Sequence, residues 1–422
     1  MRLAIRLIGV VTLLTCLMLR PAQAQSPVSF FVEPGSGLQP VLQLIRSAKH
    51  SIRLEIYLLT ERSVINALGT ARGHGVQVRV LLEEHPYGGS PSSARTAYDA
   101  LRAVGVSVRW ANESAFTYTH EKAMVVDGQV AGIFTLNLSY SGIESNREFG
   151  AIVRQPDDAH ALAAIFDADW KRKRPSVKYG DLVISPYNSR ARLDSLIDSA
   201  RRNLDLYAEE VNDTGVEAHL IAARKRGVRV RLITSETSGG VDTLRSKSIA
   251  VTIMTRPYVH AKAIVADNSH VFIGSENISS TSLDSNREVG IIRNDRALAG
   301  IVERAFSADW KANASSPPPP PSSYSGPLHV TVTTSPGTVS RGDSLTIRAA
   351  SKRGATCSVK VTYPDGYVSR ARVLGETRLV GSSGTVEWAW QEGSKVGGTG
   401  HASVTCTLGS SSATGTATFT IR

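Results

Sequence analysis

Apolar and polar positions in residues 25–312 follow an alternating rhythm. Between 216 and 226 the apolar residues Val216, Leu220, Ile221 and Ala223 recur at helical spacing. Gly227 closes that segment and a β-rich run follows over 228–233. Helix followed by strand recurs along this part, which predicts an α/β sandwich with helices on both faces of a sheet. Beyond residue 326 the rhythm changes. Short β-patterned runs such as 328–333, 344–349 and 413–421 alternate with turns rich in Gly and Ser, predicting a small all-β sandwich over 327–422. The intervening stretch, 313–326, carries no charge and holds five consecutive prolines at 317–321, the composition of a stiff spacer. At the N-terminal end, Arg2 and Arg6 precede an apolar run over 7–19, and Ala22, Gln23 and Ala24 follow it. That run is too short for a bilayer, which needs about 20 residues, and its flanks predict a cleavable export leader over 1–24.

Within 25–312 the chain repeats itself. Residues 119–127 align with 259–267 at an offset of 140, and the register holds to Asp169-Trp170 against Asp309-Trp310. Over 120–150, thirteen of 31 positions are identical, so two copies of one unit are expected, over 25–175 and 176–312. Upstream, 74–81 matches 226–233 at an offset of 152. The first copy therefore holds twelve additional residues between Leu82 and Tyr118, which a loop around 86–91 would accommodate, at a place where it would shape a substrate entrance in one lobe only.

The duplicated segments carry the chemistry. His-x-Lys-x4-Asp occurs as His120, Lys122, Asp127 and as His260, Lys262, Asp267, followed by Thr135 with Asn137 and by Ser275 with Asn277. On a strand, residues two apart share a face, so each His and Lys point together. Each Asp, an odd number of positions on, points away and is expected to be structural or to support the site from behind. A paired His-Lys-Asn set suits phosphodiester cleavage. Lys122, Lys262, Asn137 and Asn277 would clamp the non-bridging oxygens, while one histidine attacks in line and the other protonates the leaving oxygen. Tyr118 and Tyr258 would wall the pocket or pack, and Trp170 and Trp310 are expected in the core. The sequence shows neither a Gly-rich nucleotide loop nor a metal-ligand cluster.

Charge and cysteines refine this picture. The net charge of +11 falls to +8 once Arg2, Arg6 and Arg20 leave with the leader. Ten basic and five acidic residues give 327–422 a charge of +5 and leave only +3 on 25–326, so the predicted β domain is the candidate contact to an anionic membrane or cell surface. Cleavage would also remove Cys16, leaving Cys357 and Cys406 as an expected disulfide in a secreted or periplasmic protein.

The duplicated His-x-Lys-x4-Asp set resembles the phospholipase D superfamily, the HKD phosphodiesterases, over about 28–310. The resemblance implies a pseudo-twofold bilobal α/β sandwich, a monomeric catalytic unit, a phosphohistidine intermediate, and neither metal nor other cofactor. By position it implies that His120 is the nucleophile and His260 the general acid. It also implies that Glu148 and Glu288, each 28 residues after a histidine, orient an imidazole through its second nitrogen. One departure stands out: the family's Gly-Ser-x-Asn element is intact at Gly274, but Phe134 replaces that glycine in the first copy. The order Cys357, Trp388 or Trp390, Cys406 resembles that of immunoglobulin-like domains. Three functions follow from these features: an exported phospholipase D acting on glycerophospholipid head groups, an exported nuclease of the same superfamily, or a non-catalytic binding protein. The complete residue sets disfavour the last. The modest charge of the catalytic part favours lipid over nucleic acid, because nuclease sites gain from many phosphate contacts.

Overall fold

The computed structural model describes residues 27–86, 91–235, 237–314, 328–335, 337–340, 343–352, 354–369, 371, 374, 377–380, 384–391, 396–408 and 411–422. The expected leader, the tip of the 86–91 loop and nearly all of the Pro/Ser spacer lie outside these residues.

The first lobe runs β1 (Val28–Glu33), α1 (Gln39–Arg46), β2 (Ser51–Ile56), α2 (Arg62–Gly73), β3 (Gln77–Leu82), α3 (Pro91–Ala103), β4 (Ser107–Trp110), β5 (Lys122–Val126), β6 (Val130–Phe134), β7 (Asn146–Val153) and α4 (Pro156–Trp170). Its sheet order is β1-β7-β6-β5-β2-β3-β4. The second lobe runs β8 (Leu182–Ser185), α5 (Ser189–Ser199), β9 (Asn203–Tyr207), β10 (Val211–Asn212), α6 (Thr214–Lys225), β11 (Arg229–Thr234), α7 (Gly239–Ser246), β12 (Ala250–Ile253), β13 (Tyr258–Val259), β14 (Lys262–Ala266), β15 (His270–Gly274), β16 (Ile278–Ser279), α8 (Ser280–Asp284), β17 (Glu288–Asn294) and α9 (Arg296–Ala314). Its sheet order, β12-β11-β9-β14-β15-β17-β8, repeats that of the first.

Local chemistry explains these elements. The helix expected over 216–226 forms as α6, capped by the Asp213 carboxylate accepting from Val216 N at 2.9 Å, with Val216, Leu220 and Ala223 buried. Gly227, at φ +91°, ends it in a conformation that disfavours other residues. The central strands β5 and β14 are buried throughout, as expected of strands covered on both faces. The helices α1, α2 and α3 cover the outer face of the first sheet. Helices α4 and α9 lie between the sheets in a core to which both lobes contribute, including Phe149, Leu162, Tyr207, Val259 and Phe306.

The Phe134 departure is compensated within the strand. A Cβ on Gly132 would fall 2.4 Å from the Phe134 ring, while one on Gly274 would fall 2.8 Å from the ring of Phe272. Gly132 and Phe272 occupy equivalent positions, as do Phe134 and Gly274, so the aromatic and the glycine have exchanged places two residues apart. Either order fills the same space above the sheet.

The C-terminal part is all-β. It comprises β18 (Thr331–Ser335), β19 (Thr338–Val339), β20 (Ser344–Ala350), β21 (Thr356–Thr362), β22 (Arg378–Leu379), β23 (Thr385–Gln391), β24 (Gly398–Leu408) and β25 (Ser411–Ile421). Two sheets, β18-β20-β23 and β19-β25-β24-β21-β22, share a core around Trp388. The Cys357–Cys406 disulfide forms, but between directly opposed residues of neighbouring strands β21 and β24. An immunoglobulin domain uses its disulfide to tie one sheet to the other. The Cys-Trp-Cys order therefore reflects a within-sheet crosslink here.

Candidate active site

The two histidines are delivered by segments that cross from one lobe to the other. Before His120, Thr119 bridges to Arg287, and His120 N donates to Arg287 O at 2.9 Å. Before His260, β13 pairs with β7 through Tyr258↔Asn146 and Val259↔Arg147, and Ala261 N donates to Arg147 O at 3.0 Å. These crossings place each histidine beside the glutamate of the opposite lobe. Nδ1 of His120 lies 2.8 Å from Glu288 Oε2, and Nδ1 of His260 lies 2.7 Å from Glu148 Oε1, the latter as a close ion pair without hydrogen-bond alignment. The 28-residue spacing thus reflects the repeat, and each carboxylate serves the other lobe's histidine rather than the one 28 residues before it.

Both glutamates are fully buried and held from behind. Glu288 accepts from Ser282 Oγ at 2.6 Å and Asn286 Nδ2 at 3.0 Å, and Glu148 accepts from Thr135 Oγ1 at 2.5 Å. Ser275, the counterpart of Thr135, bonds to the backbone of Val289 instead. Burial pushes the Glu288 carboxyl up, but His120, its hydrogen bond and Lys122 outweigh that and hold it below the usual carboxylate range. Each lysine amine donates to the carbonyl of its own histidine at 2.6 Å. Asn137 and Asn277 keep buried Oδ1 atoms with no partner among the described residues.

Asp127 and Asp267 stand at the far ends of β5 and β14, both at φ +53°. Asp127 accepts from the backbone N–H of Lys49, His50 and Ser51, and Asp267 from those of Arg201, Arg202 and Asn203, at 2.7–3.1 Å. They lock the entry to β2 and β9 and accept no hydrogen bond from the His120 or His260 imidazole.

The lobes differ beside the histidines. At the 152 offset Tyr57 and Glu209 are equivalent, and neither stands within the His-x-Lys-x4-Asp motifs that mark the site. Tyr57 meets His120 edge-to-face at 4.5 Å, and the Lys122 amine lies 5.0 Å from its ring. Glu209 accepts from Lys262 Nζ at 2.6 Å and lies 3.6 Å from His260 Nε2. Burial raises the Glu209 carboxyl, yet His260 and Lys262 overcome it and bring it down to about 2. Burial, opposed by Glu288 and aided by Lys122, lowers His120 to about 4. Burial also brings Lys122 down to about 7. Of the tyrosines two residues before the histidines, Tyr118 lies edge-on to Tyr57, and Tyr258 Oη donates to Glu209 at 3.4 Å. Trp170 and Trp310 stack on Phe166 and Phe306 in helix packing.

A family model described as "Cardiolipin synthase, PLD-like domain" matches residues 41–170 and 193–310, one segment per lobe. The chain belongs to the phospholipase D superfamily. The minor cardiolipin synthase ClsB of Bacillus subtilis (strain 168) is 23% identical over 309 residues, spanning 63% of this chain and 77% of that protein. Two solved structures share the fold. The phosphatidylserine synthase of Haemophilus influenzae Rd KW20 covers 68% of this chain and 87% of its own at 12% identity and a TM-score of 0.54. The polyphosphate kinase of Porphyromonas gingivalis covers 67% of this chain, at 19% identity and a TM-score of 0.56, while this chain spans only half of that kinase.

Proposed function

We propose that this chain cleaves the head-group phosphodiester of glycerophospholipids through a phosphohistidine. The observation that carries this is the reciprocal exchange of His and Glu across the lobe boundary. With its Nδ1–H donated to Glu288, neutral His120 keeps the Nε2 lone pair for attack. His260 sits between Glu148 at one nitrogen and Glu209 near the other, the surroundings of a proton carrier. In the first step the Nε2–P bond forms, the P–O bond to the head group breaks, and His260 protonates the departing oxygen. In the second, water or an acceptor alcohol loses its proton to His260 as its oxygen attacks phosphorus and the N–P bond breaks. Water yields phosphatidate; an alcohol yields a new phospholipid. Lys122, Lys262, Asn137 and Asn277 would hold the non-bridging oxygens throughout.

The lipid-enzyme names of the sequence relatives support this substrate class over nucleic acid, for which the same chemistry would serve. Export is part of the proposal, supported by the leader-like N-terminus and the disulfide. The test is a paired assay of short-chain phosphatidylglycerol and single-stranded DNA with the wild type, His120→Asn and His260→Asn. Lipid turnover by the wild type alone is the expected result. Turnover of DNA but not lipid overturns the substrate, and full activity of either variant overturns the mechanism.

A further inference from the structure

A cavity of about 410 Å³ is lined by Asn112, Phe116, Arg172, Lys173, Arg174 and Tyr187 among others. Asp169 also lines it and is paired with the buried Arg287, whose guanidinium lies 4.3 Å from the Phe116 ring and 5.0 Å from that of Tyr187. The Arg174 guanidinium lies 5.2 Å from the Tyr187 ring. Because Asp169 is already matched by Arg287, the charge left facing the hollow is that of Arg172, Lys173 and Arg174. All three are exposed, and none forms an ion pair among the described residues.

The hollow is lined mainly by the first lobe, with Pro186 and Tyr187 contributed by the second. Part of its wall is the segment between β4 and His120, where 111–117 stands against the shorter 254–257 of the second lobe, and this accounts for part of the twelve-residue excess in the first copy. Its cations follow Trp170 as Lys171, Arg172, Lys173 and Arg174, whereas Trp310 is followed by Lys311, Ala312 and Asn313. The basic run that lines the cavity thus has no counterpart in the second copy. The cavity is joined to the cleavage centre by shared backbone: Phe116 precedes His120 by four residues, Thr117 N donates to Ser285 O at 2.9 Å, and Arg287 directly precedes Glu288. On an extended segment successive residues face opposite ways, so Arg287 pairs with Asp169 of the cavity while Glu288 holds His120.

We propose that this cavity is a subsite for the head group of an anionic phospholipid other than the one being cleaved. A phosphate placed there would take charge-assisted hydrogen bonds from Arg172, Lys173 and Arg174. The Asn112 amide is available to head-group hydroxyls, and the volume exceeds what a bare phosphate fills. A zwitterionic head group would bring its own cation into a cationic hollow and is disfavoured. The proposal rests on the lipid reading of the cleavage site and specifies which lipids that site meets.

The test uses the full chain carrying His120→Asn, which holds lipid without turnover, with and without Arg172→Gln, Lys173→Gln and Arg174→Gln together. Calorimetric titration with dihexanoyl phosphatidylglycerol below its micelle concentration should show two sites, one of which weakens about tenfold or more in the triple variant. Dihexanoyl phosphatidylcholine binding should not change, and the anionic difference should shrink as salt rises. In the active background the triple variant should hydrolyse bis(p-nitrophenyl) phosphate at the wild-type rate, which also shows that it is folded. Unchanged phosphatidylglycerol binding, equal losses for both lipids, or a loss confined to oligonucleotide binding overturns the proposal. A wild type inactive on every diester would instead count against the cleavage reading, which the binding titration does not depend on.

Discussion

At the scale of single residues, the two catalytic halves are near copies that one pair of side chains makes unequal. Tyr57 beside His120 offers a ring face, whereas Glu209 beside His260 offers a negative charge. The first suits an uncharged nucleophile and the second a proton carrier. Activity should therefore depend on pH in a defined way. For a soluble diester, kcat/KM should rise through about pH 4, where His120 loses its proton, and fall by about pH 7, where Lys122 loses the charge that holds the substrate. Glu209→Gln should lower kcat by about 10–100-fold with little change in KM, because an orienting charge acts on the reacting state more than on binding. A pH–rate profile of both proteins checks this, and an unchanged kcat in the variant would return Glu209 to a structural role.

At the scale of elements, reciprocal arginine clamps hold the lobes in register. Arg287 grips Asp169 at the end of α4 with two hydrogen bonds of 2.9 Å, and Arg147 grips Asp309 in α9 at 2.7 and 2.9 Å. Each arginine immediately precedes the glutamate that serves the other lobe's histidine, so the clamp fixes the strand end from which that glutamate projects. Tyr207 Oη adds a 2.6 Å bond to Asp309 on one side only. Asp169→Asn leaves the wholly buried Arg287 without its anion, and the loss of one partner from such a pair costs about 3–5 kcal/mol. Urea unfolding should show a lowered midpoint, and kcat on a soluble diester should fall with it. Stability equal to the wild type would mean that packing between the lobes, not the clamp, sets their register.

At the scale of the whole molecule, the cores separate the labour. Both lobes contribute to the core between their sheets, whereas the C-terminal sheets bury a core drawn from 328–422 alone. A chain ending at Asn313 should therefore keep its turnover of soluble diesters. The same chain should bind anionic vesicles less well than the full protein, with a difference that fades as salt rises, because the removed part carries +5. Co-sedimentation together with a soluble-diester assay checks both halves of this expectation. Loss of diester turnover by a folded, truncated chain would assign the C-terminal part to the catalytic unit.

Much of this was legible in the residues. The 140-residue repeat fixed the presence of two lobes, and the recurrence of His, Lys, Asn and Glu identified the site because chemistry of this kind is carried by side-chain type and spacing. The helix ending at Gly227 and the outward turn of Asp127 and Asp267 followed from local periodicity, which reports which face a residue occupies. Periodicity does not report which distant strand lies alongside. The exchange of Glu148 and Glu288 between lobes joins residues as much as 168 positions apart and depends on the crossings at Thr119 and Val259. Glu209 gains its meaning only because β9 pairs with β14, which brings it against Lys262. The exchange of Phe and Gly along one strand face, the within-sheet disulfide and the basic cavity were decided in the same way. Each depends on the packing and charge of groups that the chain brings together only on folding.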